Sequence, residues 1–202
     1  MSLPSFTLLY DYRCPFARIV HEHVLAANRA GADLAVTFAP YTLNQGYVPE
    51  GAPAIWDSPE GDSVLIALEA SVAVRDTWPA SFAAVHEALF EARHTHSIAL
   101  SNREQVASVL ESVGLDTGEV FAVVDSGGPR RVIANDWTHY HHDLDVFGVP
   151  TFVFNDADAV FLRLMDPPNG DDQASAALMT QVIATMALQP SINELKHTRV
   201  PS

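Results

Sequence analysis

Residues 6–20 of this chain read FTLLYDYRCPFARIV, and this stretch decides the fold. Its first part, Phe6 to Tyr12, is rich in aromatic and apolar residues and predicts a short β-strand. Pro15 suits the first position of a helix, where its missing N–H would have no partner in any case. Apolar residues then recur at helical spacing. The sequence therefore predicts a strand that passes directly into a helix at Cys14.

Cys14 is the only cysteine, and it falls at the N-cap of the predicted helix. The backbone N–H groups of Phe16 and Ala17 are expected to point at its sulfur, and the positive end of the helix dipole adds to their effect. Together with Pro15 and the nearby Arg18, they are expected to stabilise a thiolate and to lower the thiol pKa. The alternative interpretation is a small buried hydrophobic residue, because free cysteines often play that part.

The composition limits the partners of the protein. A net charge of −14 argues against nucleic acid and against an anionic membrane surface, since both require a basic protein. No apolar run reaches the roughly 18 residues of a transmembrane helix, and the N-terminus lacks the pattern of a signal peptide. A lone cysteine also excludes an intramolecular disulfide. We therefore predict a cytoplasmic protein with no nucleic-acid or membrane partner.

The remaining elements predict two domains. A second strand over residues 34–41 completes a β–α–β unit, and the Pro- and Gly-rich residues 44–62 predict a long loop. Helical periodicity follows, with Ser101 and Glu104 as a capping box; the segments are 64–76, 79–92, 102–113, 116–124 and 130–145. A hairpin of residues 151–154 and 160–164 and a helix over 171–188, with Leu178, Val182, Ile183 and Met186 on one side, end the chain. The prediction is a discontinuous domain of residues 1–62 and 146–202 with an inserted helical domain of residues 63–145.

This order carries three motifs: CPFA at residues 14–17, FGVPT at residues 147–151 and the ending ELKHTRVP at residues 194–201. With them the chain resembles the DsbA family of thioredoxin-fold proteins, and within it the actinobacterial, cytoplasmic branch of mycothiol-dependent oxidoreductases. Related groups are the 2-hydroxychromene-2-carboxylate isomerases and the kappa-class glutathione transferases. The resemblance implies an α/β, thioredoxin-like fold (β-α-β … β-β-α) with an inserted all-helical domain.

The resemblance also implies site residues. Cys14 matches the nucleophilic cysteine, and Pro150 matches the proline that is cis in thioredoxin folds. By the same likeness, the backbone of Val149 pairs with the thiol-bearing part of a substrate, and Phe16 lies beside the thiol. The alternative for Val149 and Pro150 is the ordinary start of a strand, where proline is tolerated.

One departure from the family pattern concerns the chemistry. The family has Cys-x-x-Cys, whereas the fourth position here is Ala17. A mixed disulfide or a sulfenic acid on Cys14 must therefore be resolved by an outside thiol. The expected co-substrate is a low-molecular-weight thiol, mycothiol or glutathione, with no tightly bound cofactor.

Other residues offer weaker signals. Arg13 or Arg18 is a candidate for stabilising the thiolate or for holding a carboxylate of a small thiol; each is equally readable as a solvated side chain. Tyr10, Tyr12 and Trp56 either line an apolar pocket or belong to the core. His139 and His142 share a helical face, but no set of four ligands with zinc spacing is present, so we predict no metal site.

The leading hypothesis is an enzyme, a monothiol, DsbA-like thiol-disulfide oxidoreductase acting on mixed disulfides. A second is a glutathione- or mycothiol-dependent isomerase or transferase of the 2-hydroxychromene-2-carboxylate isomerase type, in which the protein activates the cofactor thiol. A third is a non-catalytic thioredoxin-fold binding protein. The acidic charge and the apolar helical block are compatible with a homodimer.

Overall fold

The computed structural model describes residues 3–197 of the chain. Four strands and eight α-helices lie within this range. In chain order they are β1 Phe6–Tyr10, α1 Pro15–Arg29, β2 Val36–Pro40, α2 Gly61–Val64, α3 Ile66–Thr77, α4 Pro79–His94, α5 Arg103–Ser112, α6 Thr117–Asp125, α7 Gly128–His142, β3 Thr151–Phe154, β4 Asp158–Phe161 and α8 Asp172–Leu188. The predicted order β–α–β, helical block, β–β–α is the observed order.

The strands form one mixed sheet in the order β2-β1-β3-β4. β1 runs parallel to β2 and antiparallel to β3, and β3 and β4 form an antiparallel hairpin. Leu8 at the centre of β1 is opposite Phe38 on one side and Phe152 on the other. Helices α1 and α8 pack against each other. The carboxyl end of the central strand β1 thus leads straight to the start of α1.

The helices between β2 and β3 surround α3. Every residue from Ile66 to Val74 in α3 is buried, and α4, α6 and α7 all contact this helix. A helix that is apolar on all sides requires such a central position. Glu69 is the charged residue in this buried stretch, and its carboxylate accepts a hydrogen bond from Arg130 of α7 at 2.5 Å. The boundary between the two predicted domains stays a prediction.

Several local predictions were wrong. The N-cap of α5 is Asn102, whose side chain accepts from the Gln105 N–H, so Ser101 and Glu104 form no capping box. β4 begins at Asp158 because residues 155–157 complete the hairpin turn, with Asn155 and Asp156 at positive φ. The loop predicted for residues 44–62 contains two 3-10 helices, Leu43–Tyr47 and Ile55–Asp57.

The predicted apolar face of the last helix is confirmed only in part: Ile183 is buried and Met186 packs against the core. The other buried side chains of the helix are Ser175 and Met179, whereas Leu178 and Val182 are half-buried. α8 is apolar around most of its circumference, so the pattern alone does not select the face that packs on α1. Within residues 3–197 no helix is long and apolar enough to cross a membrane. The end of the ELKHTRVP motif, residues 198–201, lies outside the described residues.

Candidate active site

Cys14 is the N-cap residue of α1, with Pro15 in the first turn, as the Cys–Pro order predicts. Its side chain is 8% exposed, so the sulfur lies just beneath the surface. The backbone N–H of Ala17 donates to Sγ at 3.4 Å, and Sγ donates to the carbonyl oxygen of Val149 at 3.2 Å. The thiol therefore bridges the start of α1 and the segment that precedes β3.

The acidity of the thiol differs from the sequence expectation, which was wrong in direction. Burial raises the pKa of the Cys14 thiol; the N–H groups of Ala17 and Phe16 act in the lowering direction, and Asp11 raises it further. The helix start stabilises a thiolate as expected, but removal of the sulfur from water outweighs it. Burial is a property of the tertiary structure, which the local Cys–Pro pattern does not encode.

Asp11 fixes the backbone on which the thiol lies. Its carboxylate accepts from the Arg13 N–H at 2.9 Å and from the Leu43 N–H at 2.8 Å, and its carbonyl accepts from the Cys14 N–H at 3.0 Å. The Asp11 carboxyl is buried, and burial raises its pKa. His94 of α4 donates from Nε2 to the Tyr12 carbonyl at 2.9 Å. The loop between β1 and α1 is thus held from the 3-10 helix that follows β2 and from the helical block.

The opposite wall of the site is the segment that leads into β3. The peptide bond between Val149 and Pro150 is cis. The Val149 carbonyl faces Cys14, and the Pro150 carbonyl accepts from the Leu162 N–H at 3.2 Å. Gly148 is linked to this segment through its carbonyl, which accepts from the Thr151 hydroxyl at 2.7 Å. Of the residues predicted to bind substrate, Val149 therefore contacts the thiol directly, and Pro150 follows it in the chain.

Arg13 and Arg18, the two arginines that the sequence offers as partners of the thiolate, both have polar partners elsewhere. Arg18 is paired with Glu22 at 2.6 Å, one turn along α1, and Arg13 donates to the side chain of Asn44. The cation that lowers the pKa of Cys14 is instead Arg163, which follows β4. Arg18 as a thiolate-stabilising residue stays a prediction; in the structure its guanidinium is held by a carboxylate on its own helix.

Aromatic side chains surround the Arg163 guanidinium. Phe16 is half-buried, and the Arg163 guanidinium carbon lies 4.5 Å from its ring centroid. The same carbon lies 5.7 Å from the ring centroid of Phe161, and Phe147, 75% exposed, packs on Phe161 with ring centroids 5.1 Å apart. Sequence analysis placed only Phe16 here. The alternation of residues around β4 could have suggested Phe161 and Arg163, but no local signal links them to Cys14.

The other aromatic candidates belong elsewhere. Tyr10 and Tyr12 are buried core side chains and do not line an open pocket. Trp56 packs against Trp137 of α7, with ring centroids 5.6 Å apart. Burial places the two tyrosines between the sheet and the helical block, where their hydroxyls have partners inside the protein.

Two histidines that the sequence left without a role form a buried chain. His21 donates from Nε2 to the Leu9 carbonyl at 3.2 Å, and its Nδ1 accepts from His86 Nε2 at 2.8 Å. His86 Nδ1 then accepts from the Tyr12 hydroxyl at 2.9 Å. Only neutral rings satisfy this arrangement, and burial lowers the pKa of His21 to about 3 and that of His86 well below its ordinary value. The chain joins α1 to α4.

His139 lies on the outer surface of α7, away from this chain. It is hydrogen-bonded to Asp143 through Nδ1 and to Asp156 through Nε2, both at 2.9 Å, and these carboxylates raise its pKa. His142 does not join them. In the part of the chain that the structure describes, no group of three or more His, Cys, Asp or Glu side chains is placed to hold a metal ion.

A mixed sheet in this order, with a cysteine at the N-cap of the first helix that donates to the backbone just before β3, is typical of a thioredoxin-like protein with helices inserted between β2 and β3. The family model of the DSBA-like thioredoxin domain matches residues 7–166, and the chain belongs to this family. A comparison with curated proteins gives no sequence match.

Solved structures with the same fold cover almost the whole chain. A probable DsbA oxidoreductase from Streptomyces coelicolor is 15% identical, with a TM-score of 0.63 over 98% of this chain and 99% of that one. The cytosolic disulfide reductase DsbM from Pseudomonas aeruginosa, with GSH, is 17% identical, with a TM-score of 0.60 over 88% and 98%. The thiol-disulfide oxidoreductase MdbA from Actinomyces oris is 21% identical, with a TM-score of 0.59 over 90% and 80%. At these identities the likeness concerns the fold.

Proposed function

We propose that this protein is a monothiol thiol-disulfide oxidoreductase that acts on mixed disulfides of a low-molecular-weight thiol. The observation that carries the proposal is the single cysteine at the N-cap of α1, facing Val149 in a DsbA-like fold. Structural neighbours bear the names of disulfide reductases and oxidoreductases, and one of them was solved with GSH.

The reaction has two thiol–disulfide exchanges. The Cys14 thiolate attacks the small-thiol sulfur of a mixed disulfide, a new S–S bond forms, and the other sulfur leaves as a thiolate. A small thiol, mycothiol or glutathione, then attacks the small-thiol sulfur bound to Cys14 and restores the free Cys14 thiolate. The product is a disulfide of two small thiols, one from the substrate and one from outside, so the outside thiol is oxidised while the other substrate sulfur is released as a reduced thiol. Ala17 stands where a second cysteine would otherwise close an internal disulfide.

The raised pKa of Cys14 fits a reducing role better than an oxidising one. A thiolate of higher pKa is the stronger nucleophile and the poorer leaving group, although less of it is ionised at neutral pH. Strong protein oxidants have the opposite property, a reduced form stabilised as the thiolate. In this protein burial of the sulfur destabilises the thiolate, so Cys14 lacks the stabilised thiolate of a strong protein oxidant.

Val149 and Pro150 are proposed to bind the substrate chain next to the sulfur. The Val149 carbonyl accepts the thiol hydrogen at 3.2 Å in the free protein. Ionisation of Cys14 removes that donor, and the carbonyl becomes free to accept an N–H from the residue that carries the substrate sulfur. Phe16 provides an apolar wall beside the reacting atoms.

The test is turnover of a glutathione mixed disulfide and of a mycothiol mixed disulfide, with the matching free thiol present. Cys14→Ser is expected to lose turnover with both, because the hydroxyl does not attack disulfides, while its thermal unfolding midpoint stays close to that of the parent. Full retention of activity in Cys14→Ser would instead support an isomerase or transferase that activates the thiol of a cofactor. Absence of both turnover and adduct in the parent would support a binding protein.

Ala17→Cys tests the monothiol step separately. Residues three apart at a helix start lie within the Cα distance that a disulfide spans. In the absence of free thiol, intact mass should show a stable Cys14 adduct in the parent and its loss from Ala17→Cys, as the new cysteine displaces it. A parent protein that releases the adduct unaided would contradict the mechanism.

A further inference from the structure

Arg163 combines two properties that no other arginine around the thiol has. It is exposed, and its charge acts on Cys14. In the part of the chain that the structure describes, aromatic rings rather than a carboxylate engage its guanidinium. An arginine stacked on an aromatic face keeps its planar edge of N–H donors open to an anion.

The backbone fixes the place of Arg163. The Leu162 N–H donates to the Pro150 carbonyl at 3.2 Å, and so ties the residues after β4 to the wall of the site. The preceding carbonyl, that of Val149, faces the Cys14 sulfur. Arg163 then lies over Phe16, which is two residues beyond the thiol on α1. The sulfur, the substrate-facing backbone and the guanidinium thus belong to one surface.

The other charges near this surface are already satisfied. Arg18 pairs with Glu22, and Arg13 donates to Asn44. The Asp11 carboxylate accepts two backbone N–H groups, from Arg13 and Leu43, and is buried. With a net charge of −14, the protein repels anions at long range. Arg163 is therefore the local positive charge that offsets this repulsion for an anionic substrate.

We infer that Arg163, on its platform of Phe16 and Phe161, is a specificity-determining residue that binds a carboxylate of the small thiol during its exchange with Cys14. The inference rests on the proposed function and deepens it. Guanidinium and carboxylate match as a planar, bidentate pair. Glutathione carries two carboxylates, whereas mycothiol carries no ionisable group except its thiol. The subsite therefore selects glutathione-like, carboxylate-bearing thiols over mycothiol.

The test compares Cys14 alkylation by iodoacetate, which carries a carboxylate, with alkylation by iodoacetamide, its neutral analogue. Both reagents need the Cys14 thiolate, so the ratio of their rate constants is independent of the thiol pKa. Arg163→Met, which keeps an unbranched stem, should lower the iodoacetate-to-iodoacetamide ratio about three- to fivefold, as expected for loss of one partly exposed ion pair. Arg163→Lys should retain part of the ratio, and 1 M salt should reduce it in the parent.

Arg131→Met is the matched control. It removes one positive charge from an exposed residue near the start of α7, the end of that helix remote from the Val149 segment. A fall of similar size in Arg131→Met would assign the effect to net charge and overturn the inference. An unchanged ratio in Arg163→Met, or no alkylation of native Cys14 by either reagent, would overturn it too.

Exchange rates complete the test. Intact mass follows the Cys14 adduct formed with glutathione disulfide, with coenzyme A disulfide and with the neutral bis(2-hydroxyethyl) disulfide. Arg163→Met should slow the reaction with glutathione disulfide relative to the reaction with the neutral disulfide. A loss of rate that appears with coenzyme A disulfide but not with glutathione disulfide would indicate a phosphate subsite and overturn the carboxylate assignment. The alkylation ratio needs no turnover, so its loss in Arg163→Met supports the inference even where the oxidoreductase activity fails. If the protein turns over mixed disulfides but Arg163→Met has the same iodoacetate-to-iodoacetamide ratio as the parent, the proposed function stands and the inference about Arg163 is overturned.

Discussion

Helix α1 carries two polar regions that differ in almost every physical respect. At its start, Cys14 is near the surface, its sulfur is held by single contacts on two sides, and the Arg163 guanidinium beside it is open. Two turns further on, His21 is fully buried and belongs to a closed chain with His86 and Tyr12. The histidines have the larger shifts of pKa, yet both side chains are wholly buried.

This difference shows that a strongly shifted pKa does not by itself mark a functional site. Strongly shifted pKa values often mark active sites, but a buried and fully hydrogen-bonded network shifts them as well. The histidine chain stabilises the contact between the sheet and the helical block. The thiol site lies nearer the surface: Cys14 is 8% exposed, whereas His21 and His86 are wholly buried. Position near the surface together with an exposed guanidinium, rather than the size of the pKa shift, makes the start of α1 the candidate site.

The largest expected effect comes from breaking the histidine chain. His86→Phe keeps an aromatic ring among Tyr10, Phe82 and Phe90 but leaves His21 Nδ1 without a donor and the Tyr12 hydroxyl without an acceptor. We expect the free energy of unfolding to fall by about 2–4 kcal/mol, since each unsatisfied buried group costs about 1–3 kcal/mol. Denaturant unfolding measures it, with the exposed His96→Phe as control.

A second variant turns this result into a measure of coupling. Tyr12→Phe removes only the end of the chain, and in the double variant with His86→Phe the loss should be smaller than the sum of the two single losses. Strict additivity would mean that the hydrogen bond between Tyr12 and His86 contributes nothing.

The next effect is the response of stability to acid. Burial depresses the pKa of His21 to about 3 in the folded state, and that of His86 is lowered as well, whereas the unfolded chain binds these protons near the ordinary pKa of about 6.5. The unfolded state therefore binds more protons below pH 6.5, and stability falls as the pH drops, by up to about 1.4 kcal/mol per pH unit for each histidine. Urea unfolding from pH 7 to pH 4 measures the slope, which should be flatter in His86→Phe. Equal slopes in the two proteins would show that His86 is not the source.

The smallest effect concerns the thiol itself. Because burial raises the pKa of Cys14, the rate of its alkylation by iodoacetamide should reach half its maximum at a higher pH than the one where an ordinary free cysteine is half ionised. The pH profile of the rate, followed by intact mass, gives the midpoint, and glutathione under the same conditions is the reference. A midpoint below that of an ordinary thiol would restore the expectation that the helix start dominates over burial.

The local part of the site could be predicted because it depends on neighbours in sequence. Capping, the place of Pro15 and the N–H groups that face the sulfur involve residues within one helical turn of Cys14. The same locality explains the error at α5, where Ser101 and Asn102 are both good caps and only the packed helix selects Asn102. Amphipathic periodicity likewise placed the helices but identified the buried face of α8 only in part, because the surface of that helix is apolar nearly all round.

By itself the sequence determined the order of the elements, the thiol at the start of a helix and the lack of a second cysteine, because periodicity, capping and the count of cysteines are local or additive properties. The tertiary structure alone decided how deep the sulfur lies, and hence the direction of its pKa. It also placed Arg163 beside Cys14 through the bond from Leu162 to Pro150, and closed the chain of His21, His86 and Tyr12. Burial, charge contacts and buried hydrogen bonds join residues far apart in the chain, and their energies exist only once those residues are packed together.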